Sequence, residues 1–201
     1  MRLKLEEYLK PQKNGVYIEL GALDGVTQSN TKWLEDEYNW SGILIEPSID
    51  KFKECKINRQ NNFLFNCACV SFEYKEKTIR GDFNGSPMSS VGGKRRNFYP
   101  EVEIVSKSLQ SVIDETEYKK INFLSLDVEG YELEVLKGID FKKQIIEFIL
   151  IEIYEIDKDN IFYFMEENGY DLIDCVSNFS KESHPNWDGT HNDYLFKIKN
   201  V

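Results

Sequence analysis

The run Val16-Tyr-Ile-Glu-Leu20, leading directly into Gly21-Ala-Leu-Asp-Gly25, decides the fold. Five residues rich in β-branched and apolar side chains form a short buried strand. Gly21 and Gly25 then allow a tight turn in which backbone comes close to a ligand. Residues around Asn30 to Tyr38 follow, with Trp33, Leu34 and Tyr38 at helical spacing. Gly42-Ile-Leu-Ile-Glu46 is a second strand, and Ser48 is placed to cap a helix carrying Ile49, Phe52 and Cys55. The same alternation continues outward. Strands are expected at 63–70, 121–126 and 148–153, and two more at 170–176 and 194–198. Helices are expected at 109–113, from about Tyr131 to a left-handed Gly138, and from Ile161 to Glu167, stopped by Gly169. Strands alternating with helices imply a mainly parallel seven-stranded sheet covered on both faces, with one of the last two strands antiparallel. In such sheets the ligand lies beyond the carboxyl ends of the strands.

The 201 residues suit one domain, either free or cut from a longer protein behind a start codon. With 41% hydrophobic residues, 13 Phe and 11 Tyr, the chain can build a real core. A formal charge of -10 disfavours nucleic acid as a partner. The basic run Lys94-Arg95-Arg96 reads as a solvated loop. Cys55, Cys67, Cys69 and Cys175 form no CxxC pair and read as reduced, mostly buried thiols of a cytoplasmic protein. Cys67 and Cys69 share a face if they share a strand. No apolar run reaches the length of a membrane span, and Met1 to Pro11 lacks the apolar stretch of a signal peptide.

The first loop bears on the ligand. It contains neither GxGxxG nor GxxxxGK[ST], the patterns that cradle phosphates. Glu19 and Asp24 put carboxylates where a pyrophosphate would sit, and like charges in a partly buried site repel. The ammonium and sulfonium of S-adenosylmethionine would instead be welcomed. Glu46, 25 positions after Gly21, can accept two hydrogen bonds from ribose hydroxyls. Asp24 taken alone reads as a helix cap or an exposed strand-end carboxylate.

Gly15-Val-Tyr-Ile-Glu-Leu-Gly-Ala-Leu-Asp-Gly-Val-Thr-Gln-Ser-Asn-Thr31, then Leu34-Glu35, then Trp40-Ser-Gly-Ile-Leu-Ile-Glu-Pro47, resemble the FkbM methyltransferases. Phe123-Leu-Ser-Leu-Asp-Val-Glu-Gly-Tyr-Glu-Leu-Glu-Val-Leu-Lys-Gly138 is similar to that family's second hallmark. Ser89-Ser90 and Ser108 to Ile113 fall where the family has comparable elements. The resemblance implies a Rossmann-like class I methyltransferase fold and O-methylation from S-adenosylmethionine, commonly of sugar or natural-product hydroxyls. By position, Glu19 and Gly21 would hold the methionine end, with Ala22, Asp24, Gly25 and Ser29 in the same loop. Glu46 would hold the ribose, with Pro47 and Ser48 beside it. Cys67 and Ala68 would lie near the adenine, and Asp127 would face the methyl group.

Methyl transfer to a hydroxyl also needs a group that takes the proton. Asp127 is the first candidate, Glu129 the second and His191 the third. Asp127 and Glu129 converge if the chain stays extended, with Glu132 and Glu152 nearby. The structural alternatives are a helix cap at Asp127, favourable charges at a helix start for Glu129 and Glu132, and a loop position or a satisfied core histidine for His191. Clustered carboxylates could also hold a divalent metal, though none is assigned. The stretch from Gly81 to Pro100, rich in Gly, Ser and Asn, reads as a lid over the acceptor, with Phe83, Met88, Phe98 and Tyr99 as its apolar face; the alternative is a surface insertion. A second loop, Phe179 to Asp193, holds His184, to which nothing is assigned, and Trp187, whose ring suits a sugar or glycan acceptor. The rival functions are a nicotinamide-dependent oxidoreductase and a non-catalytic interaction module on the same fold.

Overall fold

A computed structural model describes residues 1–86, 88–91, 101–177, 179–180, 182, 185, 187 and 189–199. Pro87, the Gly92-Gly93 pair, Lys94 to Arg96, Phe98, Tyr99 and His184 lie outside the described residues.

The elements run α1 (Arg2–Leu9), β1 (Val16–Leu20), α2 (Lys32–Tyr38), β2 (Ser41–Ile45), α3 (Ile49–Asn58), β3 (Phe63–Phe65), β4 (Ala68–Val70), β5 (Thr78–Gly81) and β6 (Val102–Ser108). They continue with α4 (Leu109–Asp114), β7 (Lys120–Leu126), α5 (Glu132–Leu136), β8 (Ile145–Tyr154), α6 (Lys158–Glu167), β9 (Tyr170–Cys175) and β10 (His191–Ile198). Seven strands form one sheet in the order β3-β2-β1-β7-β8-β10-β9. β10 runs antiparallel to both neighbours, and the other pairings are parallel. Strand alternation supplies two cores. Ile18, Leu20, Ile43, Ile45 and Leu124 pack with Leu109, Val135, Leu136, Ile161 and Met165 from α4, α5 and α6. Tyr17, Leu44, Phe148 and Leu150 pack with Leu5, Trp33, Leu34 and Cys55 from α1, α2 and α3. This is the Rossmann-like class I architecture that the sequence predicts.

Four local expectations are corrected. The single third strand over 63–70 is broken. The Asn66 side-chain amide donates to the carbonyls of Glu46 and Pro47 at 2.8 and 2.9 Å, turning the chain. β4 therefore leaves the main sheet and pairs parallel with β6 in a three-stranded sheet, β4-β6-β5, that the sequence reading did not contain. Cys67 lies in neither strand, yet it and Cys69 are both buried and both line the cavity beyond the strand ends. Second, α5 stops at Leu136 and Gly138 is not left-handed. A β-carbon at Gly138 would stand 2.2 Å from the Val70 carbonyl oxygen, so close approach of α5's end to β4 is what requires glycine. Gly169, by contrast, has the left-handed φ of +83° expected of a helix stop. Third, Ser48 is the N-cap of α3, but its side chain makes no capping bond. Fourth, β10 begins at His191, opposite Tyr154 on β8, so His191 is a strand residue and not a loop one. α1 was not anticipated. Among the described residues no helix is long and apolar enough to cross a membrane.

Candidate active site

A cavity of about 670 Å³ opens beyond the carboxyl ends of β1, β2, β7 and β8. On one side it is lined by Leu20, Gly21, Leu23, Ile45, Glu46, Pro47, Cys67 and Ala68. On the other it is lined by Asp127, Glu129, Glu152, His191 and Asp193. Phe83, Met88 and Val91 form a wall, and Phe83 is buried, so this part of the expected lid packs over the cavity and is no surface insertion. Phe179 and Trp187 contribute aromatic faces, and the Trp187 indole donates to the His191 carbonyl at 2.9 Å.

Gly21 shows why this loop needs glycine. Its φ is +76°, and a β-carbon there would stand 2.1 Å from the Asp127 carbonyl oxygen. The turn is thus pressed against the end of β7, and the cavity floor is bare backbone. Beside it, the Glu46 carboxylate accepts from the backbone N–H groups of Leu23 and Ser48, both at 2.8 Å. It is 4% exposed, and burial pushes its pKa up to about 7 against the pull of those two donors.

Not every residue assigned to the cofactor reaches the cavity. Glu19, Ala22, Asp24, Gly25, Ser29 and Ser48 are not part of its lining. The Glu19 carboxylate points into the protein, where it accepts from Ser29 Oγ, the Asn30 N–H and Thr31 Oγ1 at 2.7–2.8 Å. The Asp24 carboxylate accepts from Val26 and Thr27 within its own loop. The argument that Glu19 and Asp24 repel a pyrophosphate from this site therefore fails at those residues. The carboxylates that face the cavity are Glu46, Asp127, Glu129, Glu152 and Asp193.

Asp127, Glu129 and Glu152 each offer an oxygen, and these lie within 4.8 Å of one another. Strand alternation is not the cause. The chain kinks at Glu129, whose φ is +60°, and this left-handed turn returns its side chain to the cluster. Tyr154 Oη stands 2.8 and 3.0 Å from carboxyl oxygens of Glu129 and Glu152, with its one proton shared between them, and His191 Nε2 lies 3.4 Å from Glu152. Asp127 is not a helix cap, since α5 is capped at Tyr131. Glu132, in that helix's first turn, accepts from the N–H groups of Val128 and Gly130, as its structural alternative anticipated. The reading along the sequence gave no role to Tyr154, which depends on register across β8 and β10, nor to buried Arg59, which had no local motif around it.

Burial first, then the neighbouring carboxylates, raise the pKa of Asp127 well above its usual range and that of Glu152 to about 8. Burial also raises Asp193, and lifts Glu132 to about 7. The folded protein thus binds more protons than the unfolded chain between the ordinary carboxylate value of 4.5 and about 8. That stabilisation is full below the unfolded values and is lost as pH rises through 7 to 8. Glu35 and Asp24 are shifted down, so their contributions change only below that window. Thermal denaturation of the free protein is expected to give a higher Tm at pH 6 than at pH 8.5. An equal or lower Tm at pH 6 would contradict the raised cluster.

The sequence profile of the Methyltransferase FkbM domain matches residues 19–172. The chain belongs to the FkbM methyltransferase family. Among curated proteins, the FkbM chain is 29% identical over 114 residues to Hexuronic acid methyltransferase AglP of Haloferax volcanii. That match covers 56% of this chain and 46% of AglP, so the chain spans less than half the length of that relative. Among solved structures, methyltransferase FkbM from Methylobacillus flagellatus superposes with a TM-score of 0.54 at 16% identity, covering 91% of this chain and 43% of that one. TrmK of M. capricolum, solved with S-adenosylhomocysteine, gives 0.56 at 11% identity, covering 100% and 70%. At these identities the structural likeness speaks for the fold alone. A methyltransferase domain of this fold draws its methyl group from S-adenosylmethionine. The bare floor at Gly21, the Glu46 carboxyl group and the cluster of acidic oxygens, which ionise more readily beside a cation, fit that cationic, phosphate-free molecule.

Proposed function

We propose that this FkbM domain is an O-methyltransferase that uses S-adenosylmethionine to methylate a hydroxyl of a sugar or glycan. One observation carries the reading. A single cavity joins the Gly21–Glu46 cradle to the carboxylates at the end of β7 and β8. Gly21 would approach the methionine end, Glu46 would accept from the ribose hydroxyls, and Pro47, Cys67 and Ala68 would flank the ring of the adenosine. Glu19, Ala22, Asp24, Gly25, Ser29 and Ser48 would support that cradle from behind. S-adenosylmethionine supplies an electrophilic methyl group on sulfur. The protein's part is to hold an acceptor oxygen in line with that methyl, which contributes several kcal/mol, and to take the proton it loses. Asp127, kept neutral by burial and by Glu152 and Glu129, ionises readily when a cation stands beside it and becomes the base. Glu129 and His191 are the next candidates. The name of AglP, the aromatic faces of Phe179 and Trp187, and the hydroxyl chemistry of the site support a carbohydrate acceptor. We read the 201 residues as one catalytic domain working in the cytoplasm, since the four cysteines are unpaired.

Calorimetry with S-adenosylhomocysteine and with NAD tests the reading. Micromolar binding of the first alone is expected. Binding of NAD alone would favour an oxidoreductase, and binding of neither would favour an interaction module.

A second reading keeps the methyl transfer and adds a metal. The three oxygens within 4.8 Å suit an ion with oxygen ligands at about 2.0–2.6 Å. The Tyr154 hydroxyl already bridges two of the three carboxyl groups, so turnover is expected to persist in excess chelator. Loss of turnover, restored by magnesium or manganese, would assign the cluster to a metal instead.

A further inference from the structure

The residue that holds the cofactor loop in shape comes from neither of the two stretches that resemble the family's hallmarks. Arg59, the C-cap of α3, is 0% exposed. Its guanidinium Nη1 donates to the Gly25 carbonyl at 2.7 Å and to Ser29 Oγ at 3.2 Å, both in the loop that follows β1. Nη2 donates to Tyr17 Oη on β1 at 2.6 Å and to Thr31 Oγ1 at 3.0 Å. Nε donates to Glu35 on α2 at 2.6 Å, and the Glu19 carboxylate stands 3.7 Å from Nη1. Contact extends to backbone: a β-carbon at Gly25 would lie 2.6 Å from Arg59 Cγ and 2.9 Å from Cys55 Sγ. Asn58 adds a bond to the Asp24 carbonyl at 2.8 Å. At the other end of the same helix, the Ser48 N–H holds Glu46.

We infer that Arg59 is a positioning residue for the methyl donor: through α3 it locks the Gly21–Thr31 loop to the Glu46 end of the cradle, so that both ends of the cavity are set before the donor arrives. The inference rests on the proposed cofactor site. Its physical basis is the planar fork of the guanidinium, which reaches three loop acceptors and two carboxylate-bearing elements at once. A lysine ammonium keeps the charge beside Glu35 and Glu19 but cannot span all of these partners. The loop carries two non-glycine residues with left-handed φ, Leu23 at +47° and Gln28 at +59°, and a loop so bent relaxes when its brace is removed.

The test compares the parent, Arg59→Lys, Arg59→Met and a control, Met165→Ala. Met165 is fully buried on α6 and does not line the cavity, so its loss lowers stability without touching the loop. Calorimetry reads the affinity of the folded fraction for S-adenosylhomocysteine, and steady-state rates give KM for S-adenosylmethionine separately from kcat. The expected result is a Kd and KM raised by about 10-fold or more in Arg59→Lys and further in Arg59→Met, with kcat at saturation changed only a few-fold. Met165→Ala should lose comparable stability with parental Kd. Arg59→Lys keeps the test alive if Arg59→Met fails to fold, because it leaves the buried carboxylates a counter-charge. An Arg59→Lys variant that is less stable yet binds with parental affinity would reduce Arg59 to a purely structural brace and overturn the inference. A parent that binds no S-adenosylhomocysteine would instead remove the cofactor reading beneath it.

Discussion

Asp127→Asn is expected to lower turnover by roughly 10²–10⁴-fold, the usual contribution of a positioned general base. The substitution keeps the volume and removes only the ability to take the proton. It should also leave the protein at least as stable as the parent near pH 8. Asp127 caps no helix, and its charge is opposed by burial and by Glu152, Glu129, Glu132 and Asp193. An amide at this position carries no such ionisation cost. Binding of S-adenosylhomocysteine should persist, because the Gly21 turn and the Glu46 carboxylate are untouched. The combination of an intact fold, an intact cofactor complex and poor turnover distinguishes a base from a scaffold residue. Near-parental turnover would eliminate Asp127 in that role, and Glu129 and His191 would be replaced next, in that order.

Glu46→Ala is expected to weaken S-adenosylhomocysteine binding by roughly 10- to 100-fold, since hydrogen bonds to a charged group are worth about 1.5–3 kcal/mol. The loss has two parts. The ribose hydroxyls lose their acceptor, and the N–H groups of Leu23 and Ser48 lose the oxygen that ties the first loop to the start of α3. Glu46→Gln retains one acceptor oxygen and should fall between. Because the Glu46 pKa is raised to about 7, affinity in the parent should also decline as pH drops below 7, and that slope should vanish in Glu46→Ala. A folded Glu46→Ala protein that binds as tightly as the parent would show that the ribose lies elsewhere.

Much of this molecule was readable along the chain. The alternation of apolar strands with helical patterns gave the parallel sheet, its antiparallel last partner and the two-sided helix cover. The two motifs around Gly21 and Asp127 pointed to the family and to the strand ends that form the cavity. These features are local: side-chain period, glycine punctuation and capping depend on neighbours a few residues away.

What each carboxylate does was not local, and only the tertiary structure decided it. Glu19 and Asp24 share one loop with Gly21, yet Glu19 turns inward to hydroxyls and to Arg59, 40 residues further along, and Asp24 serves its own turn. Asp127 directly follows β7 and Glu152 lies in β8, and they meet because the two strands pair in register. Glu129 joins them through a left-handed kink that strand periodicity does not contain. The break at Asn66, which moves Ala68 to Val70 into a second sheet, depends on carbonyls of Glu46 and Pro47. A charge or an amide is placed by whichever partner best offsets its desolvation, and in this chain those partners lie anywhere from 2 positions away, as for Asp24 and Val26, to 40, as for Glu19 and Arg59. The sequence by itself therefore determined the sheet and the family, while the fold chose which acids face the ligand.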